Sequence, residues 1–481
     1  MKRTRFIIFL LIIVLLFISC AVNPVTGKRE LMLLSEADEI QLGKQSDAGI
    51  VQTYGVYNDP ALTQYVSEIG QKMVKISHRP GLKFEFKVMD SPVINAFAVP
   101  GGFVYVTRGI LAYLNNEAEF AGVLGHEIGH VTARHSAKQY SKAQLSQLGF
   151  GLGSALSETF RKYAGIANFG VGMLFLKFSR DNERQADQLG VEYSTRVGYD
   201  ANEMANFFAT LERMQPSSGA DGLPGWLSTH PNPADRVAAV RKTAKEWQQK
   251  TGATNLRIGR NNYLRKIDGI VFGPDPRQGY VENNIFYHPT MKFQFPVPVN
   301  WTVNNTPAQV QMVNKKQDAV ILFQASAGTS PGEASSQFVT KTKGTVVEKK
   351  SITVNGSPAQ RLITDIASEQ GTIRVLSYFI KKNKNIFVFH GYSAQTGFPQ
   401  YQPLFETTMR QFKRLTDARK INVKPDRVRV KKVTRAGSLK NVLLALKVPN
   451  DQLEPTALLN GMHLTDRVPA NTLVKIIEKG R

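Results

Sequence analysis

Residues 121–135 read AGVLGHEIGHVTARH, and no other stretch restricts the fold as tightly. Val123, Leu124, Ile128 and Val131 are apolar, which suits a buried helix, yet His126, Glu127 and His130 stand among them. Ionisable side chains enter an apolar interior only when paired, hydrogen-bonded or bound to metal. In a helix, residues four apart project from one face, about 40° apart around the axis. His126 and His130 are therefore placed to share one ion. Glu127 stands about 100° to the side, within reach of a water on that ion without being a ligand. This is the physical content of the His-Glu-x-x-His pattern. The bare pattern also arises by chance in helices that hold no metal.

Zinc suits imidazole, and a catalytic zinc site keeps three protein ligands and one open position. The third ligand has to come from elsewhere in the chain. NERQAD at residues 182–187 offers Glu183, with Asp187 four residues on and on the same helical face. In that arrangement Glu183 binds the ion. Asp187 accepts the outer N–H of a ligand histidine and fixes its tautomer. Alone, the pair reads equally well as two acids on a solvated helix face. His135 lies about 140° around a continuous helix from His130 and is read as structural.

Four stretches follow one another: NAFAVPGGFVYVTRGIL at 95–111, HEIGH at 126–130, ERQAD at 183–187 and THPNPADR at 229–236. In that order they resemble the HtpX/BepA-like zinc metalloendopeptidase family, the gluzincins of CAAX-prenyl-protease type. NPVTGKRELMLLSEADE at 23–39 resembles its periplasmic lipoprotein members. The resemblance runs from about residue 23 to about residue 250. It implies one Zn2+ per subunit held by His126, His130 and Glu183, with Glu127 as general base and Asp187 behind a ligand histidine. It implies that His230 approaches the zinc and holds the enzyme off, and that Arg236 lies near the active site. No segment matches the transmembrane helices of HtpX or the TPR repeats of BepA.

The implied reaction is peptide-bond hydrolysis, with Glu127 taking a proton from the attacking water and passing it to the leaving amine. The apolar strand Phe103, Val104, Tyr105, Val106 and Thr107 is expected to be a sheet edge along which an extended substrate adds a strand. Such pairing reads backbone more than side chains, which suits unfolded or misassembled polypeptides. The expected function is quality-control proteolysis in the bacterial cell envelope. The alternative is an envelope assembly chaperone or scaffold whose proteolysis is minor or autoinhibited.

Placement in the envelope rests on the first residues. Lys2, Arg3 and Arg5 precede an apolar run at 6–18, then Ser19 and Cys20, the one cysteine of the chain. This is a secretory signal layout, with a run too short to span a bilayer comfortably. FISC at 17–20 resembles a bacterial lipobox, implying cleavage before Cys20 and lipidation of its thiol as a membrane anchor. Ala21, rather than aspartate, implies retention at the periplasmic face of the outer membrane. A soluble secreted protein and an uncleaved anchor are the other readings of the layout. One cysteine excludes an intramolecular disulfide. The net charge of +23 favours anionic partners. Zinc-finger cysteine pairs and RNP-type aromatic strands are missing, so nucleic acid is not an expected partner.

The expected architecture is multidomain. A signal peptide at 1–19 precedes a mostly α-helical protease domain with a small β-sheet at 20–254. Within it, residues 148–176 are apolar and glycine-rich and read as a covering segment rather than a membrane span. A turn-rich linker at 255–284 leads to an α+β antiparallel-sheet domain at 285–418. FQFPVPVNWTV at 293–303 gives this domain a resemblance to PsbP-like units, and His288 and His390 read as structural. A small βααβ unit at 425–481 closes the chain. AGSL at 436–439, LNG at 459–461 and LVKI at 473–476 resemble a degenerate LysM module, implying peptidoglycan as partner. A ligand-free docking domain is the other reading.

Overall fold

The structure, a computed structural model, describes residues 20–147, 178–214, 226, 229, 230, 235–368 and 371–480. The expected signal peptide and the glycine-rich segment at 148–176 lie outside the described residues. No helix among the described residues is long and apolar enough to cross a membrane. The chain forms two compact units, Met1–Pro274 with Asp426–Lys479, and Asp275–Pro425 with Gly480–Arg481.

The first unit is built around the helix Glu117–Thr132, whose sixteen residues are all buried. The Asn116 side chain accepts from the Glu119 N–H and caps its start, a contact of about 1 kcal/mol in comparable helices. The helix Arg180–Arg196 packs directly against it. Glycine at 125 and 190 permits the approach: a Cβ on Gly190 would stand 3.0 Å from the His126 backbone nitrogen, and one on Gly125 would stand 3.1 Å from the Gly190 Cα. That close crossing carries Glu183 and Asp187 to the two histidines. Helices Asn202–Arg213 and Arg236–Thr251 complete the bundle on this side.

A three-stranded sheet lies beside the bundle in the order Glu85–Met89, Phe103–Thr107, Ala96–Val99. Phe103–Thr107 is therefore the central strand, not an edge. It runs parallel to Glu85–Met89 and antiparallel to Ala96–Val99. The turn Pro100-Gly101-Gly102, with both glycines at positive φ, folds Ala96–Val99 back along one side. Glu85–Met89 takes the other, so Phe103, Val104, Tyr105, Val106 and Thr107 are all buried and have no free ladder to offer a substrate. The edge facing away from this pairing belongs to Ala96–Val99.

The expected boundaries shift as well. Residues 255–274 are not linker: the helix Arg260–Ile267 buries Tyr263, Leu264 and Ile267 in the same core as the motif helix. Its Tyr263 hydroxyl donates to the Leu111 carbonyl at 2.6 Å. Residues 426–479 fold with the first unit rather than as a separate module. Val428 and Leu459 join its core, and the buried Lys475 ammonium donates to the carbonyls of Ala112 and Leu114 at 2.7 and 2.8 Å. The strand pair Arg427–Lys432 with Leu473–Glu478 and the helices Leu439–Ala445 and Leu453–Leu459 form the β and α parts of this segment.

The second unit contains a seven-stranded antiparallel sheet with a four-stranded antiparallel sheet beside it. The helices Pro331–Thr342 and Phe398–Arg410 cover opposite faces of the larger sheet: Phe379 packs with the first and its neighbour Ile380 lies in the cluster of the second.

Candidate metal centre

The four side chains His126, His130, Glu183 and His230 are buried, and their donor atoms lie within 4.8 Å of one another. His126 Nε2 is 3.0 Å from His130 Nε2 and 3.2 Å from His230 Nδ1. A Glu183 oxygen lies 3.6 Å from each of the first two, and Oε1 lies 3.0 Å from His230 Nδ1. Glu127 Oε1 stands 3.6 Å from His230 Nε2 and, among the described residues, has no hydrogen-bond partner.

The outer nitrogens assign the tautomers. His126 Nδ1 lies 2.9 Å from Asp187 Oδ1, so it carries the proton and Nε2 presents a lone pair. Arg236 holds Asp187 with both ends of its fork, Nε to Oδ2 at 2.6 Å and one terminal nitrogen to Oδ1 at 2.7 Å. Its guanidinium also lies over the rings of Phe208 and Trp226, at 4.3 and 4.6 Å. On the other side, His135 Nε2 lies 2.9 Å from the Gln185 amide oxygen and His135 Nδ1 lies 3.0 Å from His130 Nδ1. With His135 donating to Gln185, its Nδ1 accepts from His130, and His130 Nε2 is left with a lone pair. Two imidazole lone pairs 3.0 Å apart with a carboxylate beside both repel one another without a cation. This buried N, N, O donor set fits zinc.

Burial shapes the electrostatics. It raises the pKa of Glu127 above the ordinary carboxylate value, even against the pull of His230 and His126. It pushes His130 well below the usual imidazole range, with its histidine neighbours acting in the same sense, and brings His135 to about 4. Burial disfavours the charged form of Glu183, but His230, His126 and Arg236 outweigh it and its pKa falls. For Asp187 burial is likewise overcome, chiefly by Arg236 and His126. His230 moves the other way. Burial opposes its cation, and Glu183 and Glu127 raise its pKa nonetheless.

All seven residues singled out from the sequence motifs meet here: His126, Glu127, His130, Glu183, Asp187, His230 and Arg236. The strand Phe103–Thr107 supplies no edge. Cys20 begins the short strand Cys20–Val22, paired with Arg29–Leu31. Three neighbours carry no signal in the sequence motifs. His135 returns to the site because the motif helix stops at Thr132 and Arg134 takes a left-handed conformation (φ 59°) before the helix His135–Gln147 begins. Gln185 lies two residues from Glu183 and holds His135. Trp226 stacks on His230 with ring centres 4.9 Å apart. No local pattern marks any of the three; only the general need of buried histidine and tryptophan for hydrogen-bond partners would draw attention to them.

Residues 60–244 match the sequence family described as Peptidase family M48, a stretch that contains the whole cluster. The beta-barrel assembly-enhancing protease of Escherichia coli (strain K12) is 32% identical over 224 residues, 45% of this chain and 45% of that protein. The mitochondrial metalloendopeptidase OMA1 of Schizosaccharomyces pombe is 30% identical over 232 residues, 47% of this chain and 67% of that protein. The match thus spans under half the length of the assembly-enhancing proteases. The solution structure of cyanobacterial PsbP from Synechocystis sp. PCC 6803 is similar over 28% of this chain and 91% of that one, at 11% identity and a TM-score of 0.24. The His126, His130, Glu183 and His230 cluster is consistent with a single zinc site, and the chain belongs to peptidase family M48.

Proposed function

We propose that this protein is a zinc-dependent endopeptidase that hydrolyses peptide bonds in unfolded or misassembled proteins of the bacterial cell envelope. The observation that carries the reading is the convergence of two imidazole lone pairs and one carboxylate beside a buried, unpartnered Glu127 oxygen. His126, His130 and Glu183 would hold the ion. Zinc bound there supplies a Lewis acid that polarises a peptide carbonyl and acidifies a water. Glu127 takes the water's proton and returns it to the leaving amine, a role that a carboxylate with a burial-raised pKa is suited to. Asp187 and Arg236 orient His126; Gln185 and His135 orient His130.

The substrate strand pairs with Ala96–Val99. Thr107 donates to the Asn95 carbonyl, so the ladder alternation turns the N–H and C=O groups of Ala96 and Ala98 away from the sheet. Trp226, whose backbone N–H donates to the Ile94 carbonyl at 2.8 Å, stands at the start of that edge.

The FISC stretch supports lipidation at Cys20 after removal of residues 1–19, with the chain held at the periplasmic face of the outer membrane. The sequence stretch FQFPVPVNWTV at 293–303 is the basis for reading residues 285–418 as a substrate- or partner-docking domain, and AGSL, LNG and LVKI are the basis for reading peptidoglycan as a partner. A second reading, an assembly scaffold with proteolysis held off, is favoured by His230, which lies between the ligands and Glu127. Metal content and cleavage of an unfolded protein, compared between wild type and Glu127→Gln, test the first reading. The variant keeps its zinc and loses at least about 100-fold in rate. Equal rates would sink the assignment.

A further inference from the structure

The second compact unit carries a cavity of about 880 Å³. It opens where three turns and a short strand meet. Asn355-Gly356 joins the strands Thr345–Val354 and Ser357–Ser368, Asn383 joins Gly371–Lys382 and Asn385–Ala394, and Lys292 ends a turn before Phe293–Pro296. Lys413–Arg414 completes the rim.

Five cations line this one space: Lys292, Lys381, Lys382, Lys413 and Arg414. No aspartate or glutamate lines it. Among the described residues none of the five forms an ion pair. The contrast lies within the same unit, where Arg361 is shared by Glu348 and Glu406, Arg374 meets Asp365, and Lys420 meets Glu282. A basic chain therefore finds acids for its cations elsewhere in this unit and not here.

The cations are also held together. Arg414 pairs with Phe293 in the ladder, beside Lys292. The Lys382 ammonium donates to the Met291 carbonyl at 2.7 Å, which fixes it next to the same turn. Burial and then the charges of Arg414 and Lys292 depress its pKa, so three positive groups feel one another across the rim. Like charges assembled without a counter-charge store repulsion that an anion relieves.

The chemistry of the walls narrows the anion. Lysine ammonium groups with one arginine fork suit phosphate oxygens, and the excess of positive charge exceeds what one carboxylate neutralises. The volume falls within the ordinary range for sites that take a small organic molecule, roughly 300–1,000 Å³. Phe387 and Phe412 also line the cavity, and the Asn385 amide offers a polar contact for a hydroxylated body, while the Asn355 amide holds the rim by donating to the Arg410 and Phe412 carbonyls. We propose that this cavity binds a phosphate ester of a small polyol, either free or as a phospholipid headgroup.

Calorimetric titration of the full chain tests the site with two probes, glycerol 3-phosphate and a short-chain phosphatidylglycerol kept below its micelle concentration. The variant Lys292→Gln/Lys382→Gln/Arg414→Gln is compared with Lys315→Gln/Lys316→Gln/Lys341→Gln, which removes the same charge outside the cavity. At least one probe binds the wild type. The cavity variant binds about tenfold more weakly, while the control stays within about twofold. Binding of both probes identifies the phosphate ester itself as the ligand; binding of phosphatidylglycerol alone identifies the lipid headgroup. Absence of binding by either probe, or equal loss in the two variants, overturns the proposal.

Discussion

His135 Nδ1 lies 3.0 Å from His130 Nδ1, and its other nitrogen lies 2.9 Å from the Gln185 amide oxygen. The two bonds form a relay that points a lone pair of His130 at the metal position. A positioning role of this kind predicts a loss of metal affinity without loss of a ligand. His135→Phe weakens zinc binding about 10- to 100-fold, read by competition with a chelator. Gln185→Leu weakens it in the same direction. Superimposable competition curves for wild type and His135→Phe would reduce the relay to packing.

His230 contacts Glu183 at 3.0 Å and stands 3.6 Å from Glu127, so it sits between ligand and base. A side chain there competes with the attacking water for the open position. Removing it by His230→Ala leaves His126, His130 and Glu183 in place. The expected outcome is retained zinc and a severalfold rise in kcat on an unfolded protein, with KM little changed. A fall in kcat at full zinc occupancy would instead make His230 part of the machinery.

Most of the buried cluster is legible in the sequence because its spacing is local: His126 and His130 stand i, i+4 on one helix, and Glu183 and Asp187 stand i, i+4 on another. What hides His135 is one backbone angle at Arg134, which ends the motif helix early and turns the chain back. No glycine or proline announces that break. The strand Phe103–Thr107 misleads for a different reason. Its apolar character suggests an edge beside the site, yet its run of five buried residues lacks the in-out alternation of a half-exposed strand, and that continuity is the mark of a central position. The helix Arg260–Ile267 is short enough that its apolar face hides among turn residues. The docking of residues 426–479 rests on backbone pairing of Val428 with Gly269 and Ile270 and on a buried lysine whose partners are backbone carbonyls, contacts that a sequence does not display.

That lysine gives a stability prediction. Lys475 is buried, its pKa is pushed well below the ordinary range by burial, and its ammonium donates to the Ala112 and Leu114 carbonyls just before the motif helix. Burial raises the pKa of Glu119, in the first turn of that helix, against the opposing pull of the Asn115 backbone N–H and of the same lysine. Lys475→Met leaves both carbonyls and the carboxylate without this cation. The expected cost is about 2–4 kcal/mol, seen as a lower denaturant midpoint for loss of the metal-site signal. An unchanged midpoint would mean that the Lys475 contacts contribute nothing to the stability of the first unit.

His390 sets the acid limit of the second unit. It is buried on the sheet, stacks on Phe338 with ring centres 4.5 Å apart and shares a 2.7 Å hydrogen bond with the Ser377 hydroxyl. Burial lowers its pKa from the ordinary 6.5 to about 4. The folded state therefore favours neutral His390, and the unfolded chain takes up the proton first. Its contribution is fully present above pH 6.5 and is lost as the pH falls toward 4. The loss amounts to about 3 kcal/mol, at about 1.4 kcal/mol for each pH step between the two pKa values. His288, also lowered to about 4 by burial, adds a change of the same sign. Hydrogen exchange of the strands Gly371–Lys382 and Asn385–Ala394, followed in the full chain between pH 7 and 4, reads the effect. With the intrinsic pH dependence of exchange removed, protection declines in the wild type, and declines about half as steeply in His390→Gln, which keeps a partner for Ser377 but does not titrate. Identical slopes would show that the proton enters elsewhere.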